Sequence, residues 1–520
     1  MLGITCRIYF PLLILVMLAP ACKQKSSNEY LSGKELALRH CTGCHNFVDP
    51  QMLPKNIWQQ RVLPAMGLRL GMYPGTQLPD SLFEDGPTRQ LVFNAGIYPS
   101  EEQIPRKDWE KIVQFFLESA PDSVALPDQK AEIRSGLPHF EYRRSQFSVK
   151  PPATSMVKIL PESSAVVFGD GKKNVSQLVQ LNANLEKEYN LFLRETPIDY
   201  RVTDTAVFLT SVGTRLYPSD LAGGVIERIY SSHKQAKPDR SEVLVDRLQR
   251  PVHVNHADLN GDGMEDLLVC EFGYLLGKLA WYQNLGDGNY QLHYLSKNPG
   301  AVITVVREVN GDHLPDILAL MAQGDEGIYL YRNSPAGFLK GEKILGFSPL
   351  QGSTGMELVD WDFDGDEDII YTAGDNADIS PVLKGYHGIY VFQNDGQYRF
   401  RQVFFYPLNG AYKAVARDYD EDGDLDIAAI SFFPDYRRSP RESFVYLQND
   451  GQYNFTAYSF PQATDGRWMV MDVNDLDGDG DLDIALGSFV EFKPDGDTTG
   501  LYNRWLENGP SVVLLENTLR

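Results

Sequence analysis

A pattern of polar loops and apolar runs repeats through the second half of the chain. Five times, oxygen-bearing side chains at alternate positions of a loop precede a short run rich in β-branched residues. The full copies read DLNGDGMEDLLV, DWDFDGDEDIIY, DYDEDGDLDIAA and DLDGDGDLDIAL, and a degenerate copy reads EVNGDHLPDILA. They begin at residues 258, 360, 418 and 475, and the degenerate one at 308. This spacing suits one four-stranded sheet per repeat.

Other alternating runs predict the remaining strands of each unit. The unit with the first acidic loop contains VHVNHAD, DLLVCEF, KLAWYQN and YQLHYLS, and two upstream units show the same order without such loops. The seven units predict seven blades of a propeller. The last unit has only RWMVMDV, DIALGSF and SVVLLENTL. Because an unpaired edge is unfavourable in a closed ring, we expect FEYRRSQFSV, residues 140–149, to supply the missing strand.

The acidic loops predict calcium sites. Oxygen atoms at loop positions 1, 3, 5 and 9, with glycine at position 6 for the turn, suit a hard cation such as Ca²⁺. An EF-hand is excluded, since its twelfth position needs a glutamate and a helix follows, whereas a strand follows here. The alternative is an acidic turn without metal. The predicted ligands are Asp258, Asn260, Asp262, Asp266, Asp360, Asp362, Asp364, Asp368, Asp418, Asp420, Asp422, Asp426, Asp475, Asp477, Asp479 and Asp483.

The loop-plus-strand pattern resembles the FG-GAP/VCBS repeats of integrin-like β-propellers. The fragments CEFG, FGDG, QNLGDG, QNDGQYRF and QNDGQYNF carry this resemblance, which extends over residues 140–520. It implies an all-β seven-bladed propeller.

Helical periodicity marks residues 28–125 as a separate, all-α domain, with 126–139 as linker. Its predicted helical segments are LSGKELALRHCTGCHNF, NIWQQRVLPAMGLRLG and PRKDWEKIVQFFLESA. The first contains Cys41-Thr42-Gly43-Cys44-His45, the C-x-x-C-H spacing at which two thiols attach one haem and the histidine ligates its iron. A disulfide remains an alternative. A structural zinc site would need further ligands nearby, yet the next cysteine is Cys270 and the next histidine is His139.

The helices resemble those of class I cytochromes c, which implies a covalent haem c held by Cys41, Cys44 and His45. A sixth ligand from methionine favours electron transfer. Met66, in W-x-x-x-V-x-x-x-M, resembles the distal ligand of small bacterial cytochromes, and Met72 is the alternative. Met52 is too close to His45 to reach the opposite haem face.

The first residues predict export. Residues 1–21 contain the apolar run PLLILVML before Ala19-Pro20-Ala21, which is typical of a cleaved signal peptide. Cys22, with 22–27 as tether, resembles the acylated cysteine of a bacterial lipoprotein, and simple secretion is the alternative. We therefore expect a periplasmic, outer-membrane or cell-surface lipoprotein. Cys270, in an apolar run, is expected to be a buried strand residue.

A net charge of −22 argues against nucleic acid as a partner. Three functions stay open. We expect electron transfer with a redox partner protein, the propeller serving as docking scaffold, rather than catalysis. The alternatives are a propeller that oxidises or cleaves carbohydrate, and an adhesion module with a carbohydrate or protein ligand. An enzyme would need a cluster at the channel mouth, for which the candidates are His253, His256, Lys413 and Arg417.

Overall fold

The computed structural model describes residues 31–73, 86–126, 132–172, 175–230, 240–377, 380–451 and 453–520. The predicted signal peptide, Cys22 and the tether lie outside these ranges. No helix in the described part of the chain combines the length and the apolar character needed to cross a membrane.

Within the described ranges the strands form seven sheets, which are the blades of a β-propeller, so the prediction of seven blades is confirmed. Blades 1 and 2 consist of Thr154–Leu160, Ala165–Lys172, Val175–Asn182 and Lys187–Leu193, then Pro197–Val202, Ala206–Ser211, Gly224–Tyr230 and Arg240–Leu248. Blades 3 and 4 consist of Pro251–Ala257, Asp266–Glu271, Lys278–Asn284 and Tyr290–Ser296, then Ala301–Arg307, Asp316–Met321, Gly327–Tyr331 and Glu342–Gly346.

Blades 5 to 7 follow in the same order. Blade 5 consists of Ser353–Val359, Asp368–Ala373, Gly388–Asn394 and Phe400–Pro407. Blade 6 consists of Ala411–Arg417, Asp426–Ser431, Phe444–Gln448 and Thr456–Ser459, and blade 7 contributes Trp468–Asn474, Asp483–Ser488 and Val512–Asn517. The second strand of blades 3 to 7 is buried along its whole length, as expected for a strand covered on both faces by neighbouring blades.

The ring closes through a strand from outside the repeats. Phe140–Arg144 pairs antiparallel with Val512–Asn517, with Phe140 opposite Asn517, and completes blade 7. This confirms the predicted closing strand. A second short strand, Arg134–Ser135, which the sequence pattern did not predict, lies parallel to the last strand of blade 6.

Polar contacts join each blade to the next along the central channel. At every junction, a side chain of a first strand reaches the neighbouring blade: the pairs are Lys158–Asp199, Arg201–Glu265, Asn255–Thr304, Arg307–Glu367, Glu357–Ala416, Lys413–Met471 and Asp472–Ile159. Several of these contacts reach main-chain groups at the open inner edges of the sheets. They therefore satisfy backbone groups that no further strand can pair.

Before the propeller, the described residues contain five α-helices: α1 (Gly33–Cys41), α2 (Lys55–Ile57), α3 (Leu63–Arg69), α4 (Gly86–Asn94) and α5 (Arg106–Ser119). The wider turn Trp58–Val62 joins α2 to α3. We call residues 33–119 the helical segment. Helix α1 begins with a capping box, in which Ser32 and Glu35 each satisfy the other's main-chain N–H. A sixth helix, α6 (Leu501–Asn508), is inserted in blade 7.

Helix α1 crosses α5 closely at Gly33. A Cβ atom at this position would lie 2.2 Å from the carbonyl oxygen of Lys111. Leu36, Ile112 and Phe116 are buried at and beyond this crossing. The absence of a side chain on Gly33 thus allows the two helices to share one core.

The helical segment lies against the propeller face where the first strands begin. Asn46 Nδ2 donates to the carbonyl of Phe347 over 3.1 Å, just before the first strand of blade 5. Leu350 and Val382 pack against the core of the helical segment. The acidic loops follow the first strands, so they lie on the opposite face.

Candidate functional site

The C-x-x-C-H motif lies at the end of α1. Cys41 is its last residue, and Cys44 follows in a turn closed by a bond from Cys44 N–H to Cys41 O of 3.2 Å. Both thiols are free, which leaves them available for thioether formation. Burial, and then the neighbouring Cys44, raises the pKa of the Cys41 thiol.

His45 is oriented by the backbone beside it. Its Nδ1 lies 2.7 Å from the carbonyl oxygen of Asn46. Because a carbonyl only accepts, Nδ1 must carry the hydrogen, and in the neutral ring Nε2 then keeps its lone pair. Metal-ligating histidines are fixed by this kind of second hydrogen bond. His45 is therefore arranged to ligate through Nε2.

One cavity of about 2720 Å³ brings the predicted haem residues together. Cys41, Cys44, His45 and Met66 all line it, together with the apolar side chains of Val48, Trp58, Val62, Leu63, Leu70, Ile112 and Phe116. The cavity exceeds the roughly 300 to 1,000 Å³ of an ordinary ligand pocket because it continues into the propeller channel. Two thiols, one imidazole and an apolar wall fit a covalently attached haem.

The three candidate methionines occupy different places. Met66, on α3, lines the cavity. Met72 is 7% exposed, packs beside Gly67 and is not one of the side chains lining the cavity. Met52 faces the propeller, where its Sδ accepts from Ser348 Oγ at 3.4 Å. The placement favours Met66 as the predicted sixth ligand.

The candidate enzymatic side chains of the channel are engaged in structural contacts. His253 Nε2 and Asn255 Nδ2 both lie within 3.1 Å of the carbonyl oxygen of Thr304. Lys413 Nζ donates to Met471 O over 2.8 Å, and the ring of His256 meets that of Phe208 edge to face. Burial lowers the pKa of His256 to about 4.

Arg417, the fourth candidate, pairs with Glu357 at 2.6 Å across the boundary between blades 5 and 6. These four residues line the same cavity as the predicted haem residues, and each also contacts or packs against a neighbouring blade.

The structure brings together part of the predicted ligand set, in three of the acidic loops. Three groups have ligand atoms within 4.8 Å of one another: Asp360, Asp362 and Asp364; Asp418, Asp420 and Asp422; and Asp475, Asp477 and Asp483. In the loop of blade 3, where Asn260 occupies position 3, Asp258 accepts the main-chain N–H groups of Gly261 and Gly263, each over 2.8 Å. These hydrogen bonds to the first aspartate thus stabilise the loop conformation without a cation.

The aspartate at position 9 has a second role. Asp368 accepts from the N–H of Asn394 over 2.7 Å and from that of Trp361 over 3.1 Å. The equivalent Asp266 and Asp483 also accept from the asparagine that ends the third strand, and Asp426 accepts from Asn449, directly after that strand. This residue ties the loop to the third strand, whereas positions 1, 3 and 5 face the candidate cation site in blades 5 and 6.

Position 7 carries aspartates that the sequence interpretation did not select. Asp366, Asp424 and Asp481 each have a buried carboxylate oxygen without a hydrogen-bond partner in the described structure. Burial, followed by repulsion from Asp422 and Asp420, raises the pKa of Asp424 to about 6. A bound cation would offset both effects, so these oxygens fit a calcium site. The recurrence of aspartate at position 7 in three loops was the available signal.

The family of FG-GAP-like repeats matches residues 258–319 and 308–371. No curated protein matches the chain. Several solved structures are similar to this chain, and one is a lectin of Agrocybe aegerita that recognises non-reducing terminal N-acetylglucosamine. It is 16% identical, the alignment covers 68% of this chain and 93% of the lectin, and the TM-score is 0.37. Sqt1 of Saccharomyces cerevisiae has 10% identity, 72% and 99% coverage, and a TM-score of 0.42.

The protein is thus a seven-bladed β-propeller, in which residues 258–319 and 308–371 match the FG-GAP-like repeat. A helical segment carrying a C-x-x-C-H motif precedes the propeller.

Proposed function

We propose that the protein is an exported, membrane-tethered c-type cytochrome that transfers electrons, with its propeller as a calcium-stabilised docking scaffold. The observation that carries this proposal is the cavity shared by two free thiols, by His45 and by Met66. Haem in this cavity would supply one-electron chemistry. Cys41 and Cys44 would hold it covalently, and His45 and Met66 would ligate the iron.

Apolar residues of the helical segment form the wall of this cavity beside the C-x-x-C-H motif. Trp58 and Phe116 are 2% and 5% exposed, and their ring centroids lie 4.6 Å apart. Trp58 also donates its indole N–H to Pro50 O over 2.8 Å, so its polar atom is satisfied inside the core. If His45 and Met66 both hold the iron, the haem would supply electron exchange rather than chemistry at the metal.

Electron transfer is favoured over catalysis by the propeller because three of the four candidate catalytic residues, His253, Lys413 and Arg417, already have polar structural partners. The fourth, His256, packs on Phe208, and its buried Nε2 has no hydrogen-bond partner in the described structure. His253 and Lys413 contact the main chain of the next blade. An enzyme would need side chains free to meet a substrate at hydrogen-bonding distance.

Calcium would neutralise the carboxylates on the face opposite the helical segment and rigidify the loops. The lipid proposed for Cys22 would keep the protein at a membrane surface, where a redox partner protein meets it. An acidic protein favours a partner with a basic surface.

The test is haem retention after denaturation. Purified full-length protein should keep a haem peroxidase stain on a denaturing gel, and reduction with dithionite should sharpen its visible bands. The double substitution Cys41→Ala and Cys44→Ala should abolish the stain. Staining that persists in this variant would exclude covalent attachment at the motif.

A further inference from the structure

Asn46 connects the C-x-x-C-H motif directly to the propeller. Its backbone carbonyl accepts the Nδ1 hydrogen of His45 over 2.7 Å, and its side-chain amide donates to Phe347 O over 3.1 Å. The same residue therefore touches the predicted proximal ligand on one side and the connection between blades 4 and 5 on the other.

Phe347 is held firmly in its own place. Its N–H donates to the carbonyl of Glu326 over 3.0 Å. Its ring stacks on Tyr371, with centroids 4.3 Å apart and planes 15° from parallel. Tyr371 is fully buried, and its hydroxyl lies 2.6 Å from Ser353 Oγ. The carbonyl that receives Asn46 is thus part of the rigid propeller rather than of a loose loop.

Neighbouring contacts keep the two parts in register. Ser348 Oγ donates to Met52 Sδ over 3.4 Å, and Leu350 packs against the core of the helical segment. Because Asn46 is bonded to Phe347, a displacement of the connection between blades 4 and 5 would displace Asn46 as well.

We infer that the propeller sets the donor strength of His45 through Asn46, which acts as a positioning residue for the proposed haem. When Phe347 holds the Asn46 side chain, the Asn46 carbonyl stays close to Nδ1–H. A close acceptor on Nδ1–H makes the imidazole a more basic ligand at Nε2, and a more basic ligand stabilises oxidised iron relative to reduced iron. Releasing Asn46 therefore raises the midpoint potential. This inference rests on the proposed haem site.

The experiment compares Asn46→Ala with wild-type full-length protein carrying its haem. Asn56→Ala is the matched control, because Asn56 is an exposed asparagine of the same segment. Spectroelectrochemical titration should show a higher midpoint potential for Asn46→Ala than for wild type. The midpoint potential of Asn56→Ala should equal that of wild type. NMR should show faster solvent exchange of the His45 ring N–H in Asn46→Ala alone, a readout that a general loss of stability would not single out.

A propeller-side variant tests whether the effect crosses the contact. Phe347→Leu keeps the carbonyl but removes the stacking on Tyr371, so we expect a smaller shift in the same direction. If Phe347→Leu does not fold, Ser348→Ala loosens the same connection and should give that shift. A potential that is unchanged in Asn46→Ala, or changed there but in neither propeller variant, overturns the inference. Wild-type protein without haem stain would instead refute the proposed function.

Discussion

Glu326 is a buried carboxyl group whose ionisation should weaken the propeller. It lies between the second and third strands of blade 4, is 2% exposed, and accepts from Ser353 Oγ over 2.8 Å. Burial raises the pKa of Glu326 to about 8 from its ordinary value of 4.5, although the hydrogen bonds from Ser353 and Gly352 oppose the rise. The negative charge of Asp375 adds to the rise. Glu326→Gln replaces the carboxyl group with a neutral side chain of the same shape.

The direction of the effect follows from proton binding. Between pH 4.5 and about 8 the folded protein keeps a proton on Glu326 that the unfolded chain releases, so stability falls as pH rises through this window. One pKa unit corresponds to about 1.4 kcal/mol, which for this shift gives an upper bound of about 5 kcal/mol. Relaxation around the charge reduces this, and we expect on the order of 2 kcal/mol. Glutamine has no proton to lose and avoids this decline.

Urea unfolding of Glu326→Gln and wild type at pH 5, 6, 7 and 8, at constant salt and calcium, measures the difference. The free energy of unfolding of the variant should rise relative to wild type by on the order of 2 kcal/mol from pH 5 to pH 8. Glu162→Gln, at an exposed turn of blade 1, should show no such trend. A variant-to-wild-type difference that is the same at pH 5 and pH 8 would refute the assignment of a raised pKa to Glu326.

Three further predictions concern the helical segment and the loops. Met66→Ala should lose the weak absorption band at the red end of the oxidised visible spectrum while Met72→Ala keeps it; loss in Met72→Ala alone would move the ligand. Chelation should lower the melting temperature of the propeller by calorimetry, and added Ca²⁺ should restore it by mass action; an unchanged melting temperature after complete metal removal would mean structural turns without metal. Gly33→Ala should destabilise the α1–α5 crossing by about 1 to 3 kcal/mol, because its Cβ would meet the carbonyl oxygen of Lys111. Gly43→Ala is the control, since no atom lies within 4 Å of a Cβ at that position. Equal urea midpoints for the two variants would contradict this prediction.

Repetition made the propeller predictable from the sequence. The acidic loop and the strand after it recur in five units, so each unit supports the interpretation of the others. The closing strand followed from counting strands in the last unit. In blade 4, His313 occupies loop position 6, where the other acidic loops have glycine. It adopts the same left-handed conformation, with φ of 67°, so the degenerate loop keeps the shape of the others.

Contacts between distant parts of the chain could not be predicted in the same way. The pairing of Asn46 with Phe347 joins residues 301 positions apart, and no local pattern marks either partner. The same holds for Lys413 and Met471, whose contact depends on how neighbouring blades pack. Helix α6 was missed because it interrupts a unit that was interpreted by its strands alone. Periodicity reports the face of one element but not its neighbour.

The closing strand has a consequence for the order of events during biogenesis. Phe140 pairs with Asn517, close to the end of the chain, so the ring cannot be completed until almost the whole chain has been delivered. Contacts of such long sequence separation form slowly because their loop entropy is lost before the pairing compensates for it. The helical segment can fold first, because a contact such as that of Lys111 with Leu31, just before α1, spans only 80 positions. If the protein is exported from its amino terminus and carries the proposed haem, the C-x-x-C-H motif would thus be accessible to attachment machinery while the propeller ring is still open.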